Sequence, residues 1–514
     1  MSELSQLRQL LSAYFNESEL KTLTFDLGLD YEMLPGPAKG DKARELVMLL
    51  WRNDRLAELL SLARPIRPNL AWPDLPVPAA PSAPASAMPA PIAATSGPQP
   101  GSSPFTYGNP ISDPARFFGR SREVEQVFNR LRNAEGESSS IVGGRRIGKS
   151  SLLNYLAHPD VRRRHGMDPQ QALFIYVDLQ MVDNQTTPAR LWQRLLGQLA
   201  RQCQDEALAV TLNEIIAAGS FDNFALADLF DNVDRLGRHV VFLLDEFENV
   251  TINPNFDPSF FYGLRSLAIQ HNLSLVTSSR HELIELTHSQ AVRSSPFFNI
   301  FATIHMPLFS SVETERLIHG LLAGTGVEFT EEEMATLAEI ADGHPFFVQA
   351  GGHFLFEAHG NYADAIRRRA AWLKAFRVEV GPHLAHFWRT TDLPGQTTLL
   401  LLALLMRRAG GRPYFEPELL EGHYARAGQN LARLARWGYV AEDSGRFTLF
   451  SSAFGDWIVS EVWPGGAAQH EGAHLTLETV LNQAQDAYRP LLSGLVEQAA
   501  DADQTMQLLR EGLA

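Results

Sequence analysis

One cysteine, Cys203, stands in a chain of 514 residues. A single thiol closes no intrachain disulfide and supplies no Cys-based zinc site, so both are excluded as organising devices. It suits a reducing compartment. Basic charge is also scarce: 44 Lys and Arg stand against 59 Asp and Glu, a net charge of −15. Such a chain cannot coat nucleic acid over its whole surface, which leaves only a local basic patch. Long apolar runs are missing. The most apolar stretch, Thr398 to Met406, falls far short of the roughly 18 residues that suggest a membrane span. Met1-Ser2-Glu3-Leu4 shows neither the positive nor the apolar region of a secretory signal. No period of about 20–50 residues recurs, which excludes a solenoid or propeller array. These absences together imply a cytoplasmic protein without a membrane partner.

What is present is ordinary core material, 45% hydrophobic and 20% charged, enough for about three or four domains. The clearest boundary is a spacer at 73–104 that holds ten prolines among Ala, Ser and Gly. It cannot fill a core and reads as an extended, polyproline-rich tether. Before it, residues 1–72 read as a small helical module. Leu4, Leu7, Leu10 and Leu11 share a helical face. Asn16 with Glu19 makes a capping-box start for a helix carrying Leu20, Leu23 and Leu27, with Gly28 as its stop. Pro35-Gly36-Pro37 forces a turn, Asp41 caps a third helix, and Asn53 or Asp54 starts a fourth. Lacking histidine, cysteine and any nucleotide loop, this module suits binding better than catalysis.

Beyond the spacer, buried strands at Ser139–Val142, Ala172–Asp178, Val240–Asp245 and Leu273–Ser278 alternate with helical segments. That alternation predicts a parallel α/β sheet. Gly143-Gly144-Arg145-Arg146-Ile147-Gly148-Lys149-Ser150 follows the first strand and opens a helix that begins with Ser151 and Leu152. In that context it is a phosphate loop: glycines let backbone N–H groups face phosphate oxygens, Lys149 reaches the β- and γ-phosphates, and Ser150 ligates Mg²⁺. The apolar run from Val240 delivers Asp245 and Glu246 to a strand end, where ligands bind in such sheets. Asp245 is expected to hold Mg²⁺ and Glu246 to polarise the attacking water. Glu248 is expected on the surface. Arg280 closes the next strand and is the candidate to stabilise γ-phosphate charge, with an ion pair to Asp245 or Glu246 as the alternative. Between those strands, Phe260 to Ala268 reads as a crossover helix whose Arg265 is a candidate for stabilisation in trans.

These motifs resemble those of the STAND branch of AAA+-related ATPases. Phe117-Phe118-Gly119-Arg120 with Glu123 is similar to the family's opening motif, and Val276 to Arg280 to its arginine-bearing sensor strand. Gly343-His344-Pro345 resembles the helical-subdomain motif whose proline packs near adenine, and Ser295 to Asn299 also recurs. The resemblance implies ATP or ADP with Mg²⁺, bound between an α/β core and a helical subdomain. Gly119, Arg120, Pro345 and Ser151 would then belong to the nucleotide site. It further implies a winged helix that closes the resting site. Candidate elements are helices at Gln396–Arg408 and Tyr424–Trp437, a wing at 438–450, and Trp457. Arg426, Arg433 and Arg436 on the second helix make DNA binding the alternative use; the acidity of the chain favours a lid.

The N-terminal module is similar to death-fold-like effector-associated domains, through Phe15 to Leu20, Phe25 to Leu29, Lys42 to Val47 and Arg67-Pro68. That likeness implies docking to an effector carrying a like domain; the nucleotide switch adds the expectation of a homo-oligomer in the ATP state. The expected organisation is an effector-associated domain at 1–72, the linker at 73–104, an NTPase at 105–302, a helical subdomain at 303–392, a winged helix at 393–464 and a helical tail at 465–514 with helices near Leu475–Leu492 and Met506–Leu513. The sensor array common in the family is not seen in the tail. The expected function is an ATP/ADP-switched signalling ATPase, slow in turnover, in prokaryotic defence or stress signalling. The alternative is a DNA-binding ATPase similar to archaeal origin-recognition proteins, or a transcriptional regulator, acting through the winged helix.

Overall fold

A computed structural model describes residues 3–27, 31, 39–52, 56–67, 70, 72, 103–133, 136–203, 205–463, 480–482 and 484–513. The structural statements below concern these residues. Residues 73–102 of the spacer, Gly28, the Pro35–Pro37 turn, Asn53, Asp54 and the first part of the expected tail helix lie outside the described residues. The chain divides into two compact units, Met1–Gly97 and Pro98–Ala514.

The first unit contains helices Glu3–Tyr14, Glu17–Asp26, Lys39–Arg52 and Leu56–Ile66. Leu7, Leu11, Leu20, Leu23, Leu46, Leu50 and Leu59 are completely buried between them. The expected capping box is formed: Glu19 N–H donates to Asn16 Oδ1 at 2.8 Å, and Asn16 N–H donates to Glu19 Oε2 at 2.9 Å. Asp41 falls within the helix, which begins at Lys39, and not before it. Arg67 Nη2 reaches back to Glu19 Oε1 at 2.6 Å, tying the end of the module to the start of its second helix.

The second unit is built on a five-stranded parallel sheet: β1 (Ser138–Val142), β2 (Ala172–Asp178), β3 (His239–Asp245), β4 (Leu273–Ser279) and β5 (Phe301–His305), in the order β2-β3-β4-β1-β5. Strand side chains alternate between faces. Val240, Phe242 and Leu244 accordingly enter the core under helices Pro188–Gln202, Glu206–Ala218, Asn223–Arg235 and Pro258–Gln270. Val241 and Leu243 enter a separate core under helices Ser121–Leu131 and Lys149–Ala157. Burial on both faces explains why these strands read as unbroken apolar runs. The edge strand β5 buries only Ile304 of its five residues, so it carried no such signal. It runs across residue 302, and the sheet therefore ends at His305 and not where the sequence reading closed the core.

Helices Ser311–Leu322, Glu331–Ala341, Pro345–Asn361 and Ala365–Thr390 follow, then Leu393–Ala409, Pro417–His423 and Ala427–Arg436. The helix expected at Tyr424–Trp437 is thus shorter and is preceded by a separate turn of helix. An antiparallel hairpin, β6 (Val440–Asp443) and β7 (Arg446–Leu449), precedes the helix Ser452–Val462. Trp457 packs on the core, as expected. Two further helices, Arg489–Glu497 and Ala502–Leu513, end the described chain. One hydrophobic core runs through all of these elements, from Phe105 to Leu509. Its axis is Leu393–Ala409, in which every residue from Thr397 to Met406 is buried. A helix apolar on all sides is a core helix, which is what the longest apolar run of the sequence forms. No described helix is long and apolar enough to cross a membrane.

Candidate nucleotide site

β1 lies inside the sheet and ends at Val142, where the chain turns through the phosphate loop into helix Lys149–Ala157. Gly148, with φ of 102°, takes a left-handed backbone that side-chain-bearing residues rarely adopt. Gly143 N–H donates to Ser279 O at the end of β4, 3.2 Å away, which anchors the loop to the neighbouring strand. Lys149 is buried, and its ammonium donates to Gly143 O at 2.9 Å and Gly144 O at 3.1 Å. Ile147 turns its side chain into the core and offers only backbone to the loop. Ser151 Oγ accepts from Ile111 N–H at 2.9 Å.

Asp245 is 2% exposed at the end of β3. Its Oδ2 accepts from the Tyr176 hydroxyl at 3.0 Å, and its Oδ1 from the Ser278 hydroxyl and from Glu246 N–H. Among the described residues no basic side chain pairs with it. Buried acceptor oxygens held only by neutral donors, with no side-chain cation paired to them, are the kind of ligand a divalent cation takes. Glu246 has a left-handed backbone, φ 53°, and lines the cleft. Burial, with Glu248 and Asp245 close by, pushes its carboxyl up to about 7 against the pull of Lys149 and Arg280. Burial and the adjacent Asp245 carboxylate keep the Tyr176 phenol protonated.

A cavity of about 270 Å³ opens beside the loop. Arg145, Arg146, Gly148, Lys149, Ser150, Ser151 and Glu246 form its phosphate side, while Pro345, Phe346, Gln349 and the segment Thr106–Ile111 form the opposite wall. Thr106 N–H donates to Gln349 Oε1 at 3.0 Å. Arg146 donates to Tyr107 O at 2.9 Å and lies over the Phe346 ring at 4.5 Å, so it joins the two walls.

Gly119 and Arg120 do not line this cavity. Arg120 is 2% exposed behind the loop, where its guanidinium donates to Pro307 O at 2.6 Å and Ile147 O at 3.2 Å. Burial lowers it to about 10, so it is a cation at neutral pH. It is a strut under the loop. Gly119, φ 73°, is pressed against Phe309 and Glu313. Glu248 is no surface residue: it is 1% exposed and pairs with Arg280 at 3.0 Å, while the expected pairing of Arg280 with Glu246 is present as a longer contact of 4.0 Å. Arg265 is partly buried, and its Nε has no hydrogen-bond partner. Sequence reasoning also missed Tyr176, Ser278, Gln349 and the Thr106–Ile111 wall. The paired serines ending β4 were the one available signal.

The segment expected as a winged helix sits on this loop. A Cβ on Gly144 would lie 2.2 Å from the Trp437 carbonyl oxygen, so only glycine permits the approach. The Trp437 ring meets His281 with centroids 4.6 Å apart, and Arg436 reaches Glu282 at 3.4 Å.

A phosphate loop on an inner parallel strand, with a buried acid at the end of β3, defines a P-loop NTPase. Residues 133–367 match the family described as novel STAND NTPase 2, and residues 7–68 match effector-associated domain 7. The NTPase is therefore of the STAND type, and the N-terminal module is an effector-associated domain. Similar solved structures include the Walker-type ATPase PABY2304 of Pyrococcus abyssi, with TM-score 0.44 and 15% identity over 68% of this chain and 98% of that one. The ORC2 protein of Aeropyrum pernix, solved in ADPNP–ADP complexes, has TM-score 0.44 and 16% identity over 66% of this chain and 93% of that one. The ORC1 protein of the same organism, solved in complex with DNA, has TM-score 0.36 and 16% identity over 67% and 93%. No curated protein matches the chain.

Proposed function

We propose that this chain is an ATP/ADP-switched signalling ATPase whose nucleotide state controls assembly and recruitment of an effector through the N-terminal domain. The observation that carries this reading is the seating of Trp437 on Gly144. The segment 393–463 touches the loop that would hold phosphate, so a change at the loop is felt directly by that segment. Ser150 and Asp245 are the residues that would hold Mg²⁺, which would supply charge neutralisation at the phosphates. Lys149 supplies a second positive charge, and Glu246 a carboxylate of near-neutral pKa, suited to orienting water. Slow turnover would reset the switch. The spacer at 73–104 would let effector-associated domains meet when chains cluster, raising their effective concentration. A partner bearing a like domain would be the effector, in a cytoplasmic setting of prokaryotic defence or stress signalling.

The DNA-binding alternative is less well supported. Of the three arginines that would face a groove, Arg433 pairs with Asp392 at 2.6 Å and Arg436 with Glu282 at 3.4 Å. Both are engaged within the unit, as a lid would require. Mass photometry with ADP and with a non-hydrolysable ATP analogue tests the proposal. Higher-mass species are expected with the analogue only. Identical mass distributions in both nucleotides would remove assembly from the function.

A further inference from the structure

The acidic run after β3 holds a third carboxylate that the nucleotide chemistry leaves unused. Glu248 lies two residues beyond Glu246, and a carboxylate at 1% exposure is costly unless it is paired. Its Oε1 accepts twice from Arg280, from the backbone N–H at 3.1 Å and from the side-chain Nε–H at 3.0 Å. Its Oε2 is buried with no hydrogen-bond partner. The double contact to one oxygen brings the Arg280 Nε back beside its own backbone N–H and restrains the guanidinium. Among the described residues neither terminal nitrogen of Arg280 forms a hydrogen bond, and the side chain is 43% exposed. The same Nε stands 4.0 Å from Glu246 Oε2, a residue that lines the cleft. The clamp thus grips the arginine at its inner nitrogen and leaves its outer fork without a hydrogen bond beside Glu246, which lines the cleft.

We propose that Glu248 is a positioning residue, which acts only through Arg280 by presenting its guanidinium fork to the terminal phosphate of a nucleoside triphosphate. The inference rests on the nucleotide-switch reading and goes beyond it by giving a role to a residue that had been read as a surface acid. The restrained guanidinium would discriminate a triphosphate from a diphosphate, because only the former extends toward Glu246. An arginine already restrained loses less freedom on binding than one that must be ordered first.

The experiment is a double-mutant cycle in the full-length chain. Glu248→Met removes the acceptor while filling the buried site with an apolar side chain of similar length, a replacement that folded proteins commonly tolerate. Glu248→Gln keeps an acceptor and serves as the rescue. Two quantities are read: kcat and KM for ATP, and the ratio of affinities for a non-hydrolysable ATP analogue and ADP. Glu248→Met should lower kcat by roughly tenfold with little change in KM, as loss of an interaction made chiefly in the transition state does. It should also reduce the preference for the triphosphate analogue. Arg280→Ala should do the same, and the double variant Glu248→Met/Arg280→Ala should be no worse than Arg280→Ala. Glu248→Gln should fall between wild type and Glu248→Met. Additive losses in the double variant overturn the proposal, as does a Glu248→Met protein with unchanged kcat and unchanged affinity ratio. A wild-type chain that binds both nucleotides without turnover would overturn the hydrolase reading, and the affinity ratio would still judge the clamp. A wild-type chain that binds neither overturns both.

Discussion

The two walls of the cleft are made in different ways. The phosphate wall comes from one short stretch of chain, Arg145, Arg146 and Gly148 to Ser151, with Glu246 added from just beyond the β3 strand. The facing wall joins Thr106 to Gln349, 243 positions apart, and adds Pro345 and Phe346. An anion demands directed N–H groups and a cation at set distances, so backbone geometry imposes a fixed residue spacing. A wall made chiefly of shape and apolar contact imposes none. The first kind of site leaves a pattern in the chain, and the second leaves nearly nothing.

The comparison can be broken most strongly at the phosphate wall. Glu246→Gln is expected to slow single-turnover phosphate release by on the order of 10²–10⁴, the usual range for a positioned acid–base group, while nucleotide titrations show binding retained. An unchanged rate would assign the water to another residue. Lys149→Ala removes charge-assisted contacts worth about 1.5–3 kcal/mol, so labelled ATP should bind about 10- to 100-fold more weakly. Equal affinities would sink the phosphate-loop assignment. Gly144→Ala forces a methyl group onto the Trp437 carbonyl oxygen, a backbone atom that cannot rotate away. Overpacking of this kind costs about 1–3 kcal/mol, so limited proteolysis should find the 393–463 segment lifted from the loop more often.

The facing wall should respond more gently. Gln349→Ala removes the bond to Thr106 N–H, a net loss of about 0.5–1.5 kcal/mol, so ATP and ADP should both weaken by a few-fold. Calorimetry on both nucleotides separates this from Lys149→Ala, which should penalise ATP more. The last test concerns acid. Burial holds His344 and His383, the second of which packs on Phe346, down to about 3 in the folded chain. Unfolded histidine titrates near 6.5, so below that pH the unfolded chain binds more protons than the folded one. The contribution of these neutral rings is complete above about 6.5 and falls as pH drops toward 3. Thermal midpoints should decline from neutral pH toward pH ~5.5, and His383→Leu should flatten the slope. A slope unchanged by that substitution would place the proton uptake elsewhere.

Legibility followed the same division. Strands β1 to β4, the loop and Asp245 lie where apolar runs and spacing put them, because sheet burial and phosphate geometry act over a few residues. The capping box of Asn16 and Glu19 was equally readable, being a contact three residues long. Glu248 was misread because its burial depends on Arg280, 32 positions away, closing over it. Arg120 was assigned to the nucleotide by resemblance, yet it supports Ile147 from behind, a distinction that requires knowing on which side of the loop its helix packs. The boundary at 302 missed β5 because an edge strand with one buried residue carries no apolar run.

The sequence by itself determined the elements that short-range chemistry dictates: the N-terminal helices and their cap, the parallel strands, and the phosphate loop with its acid. Periodicity and backbone hydrogen bonding act locally, so a few neighbouring residues suffice to specify each. Only the tertiary structure decided that the helical half shares one core from Phe105 to Leu509, that Glu248 clamps Arg280, and that Trp437 rests on Gly144. Those contacts join residues far apart in the chain, where burial rewards any apolar or complementary pair that packing brings together. No local pattern announces which pair it will be.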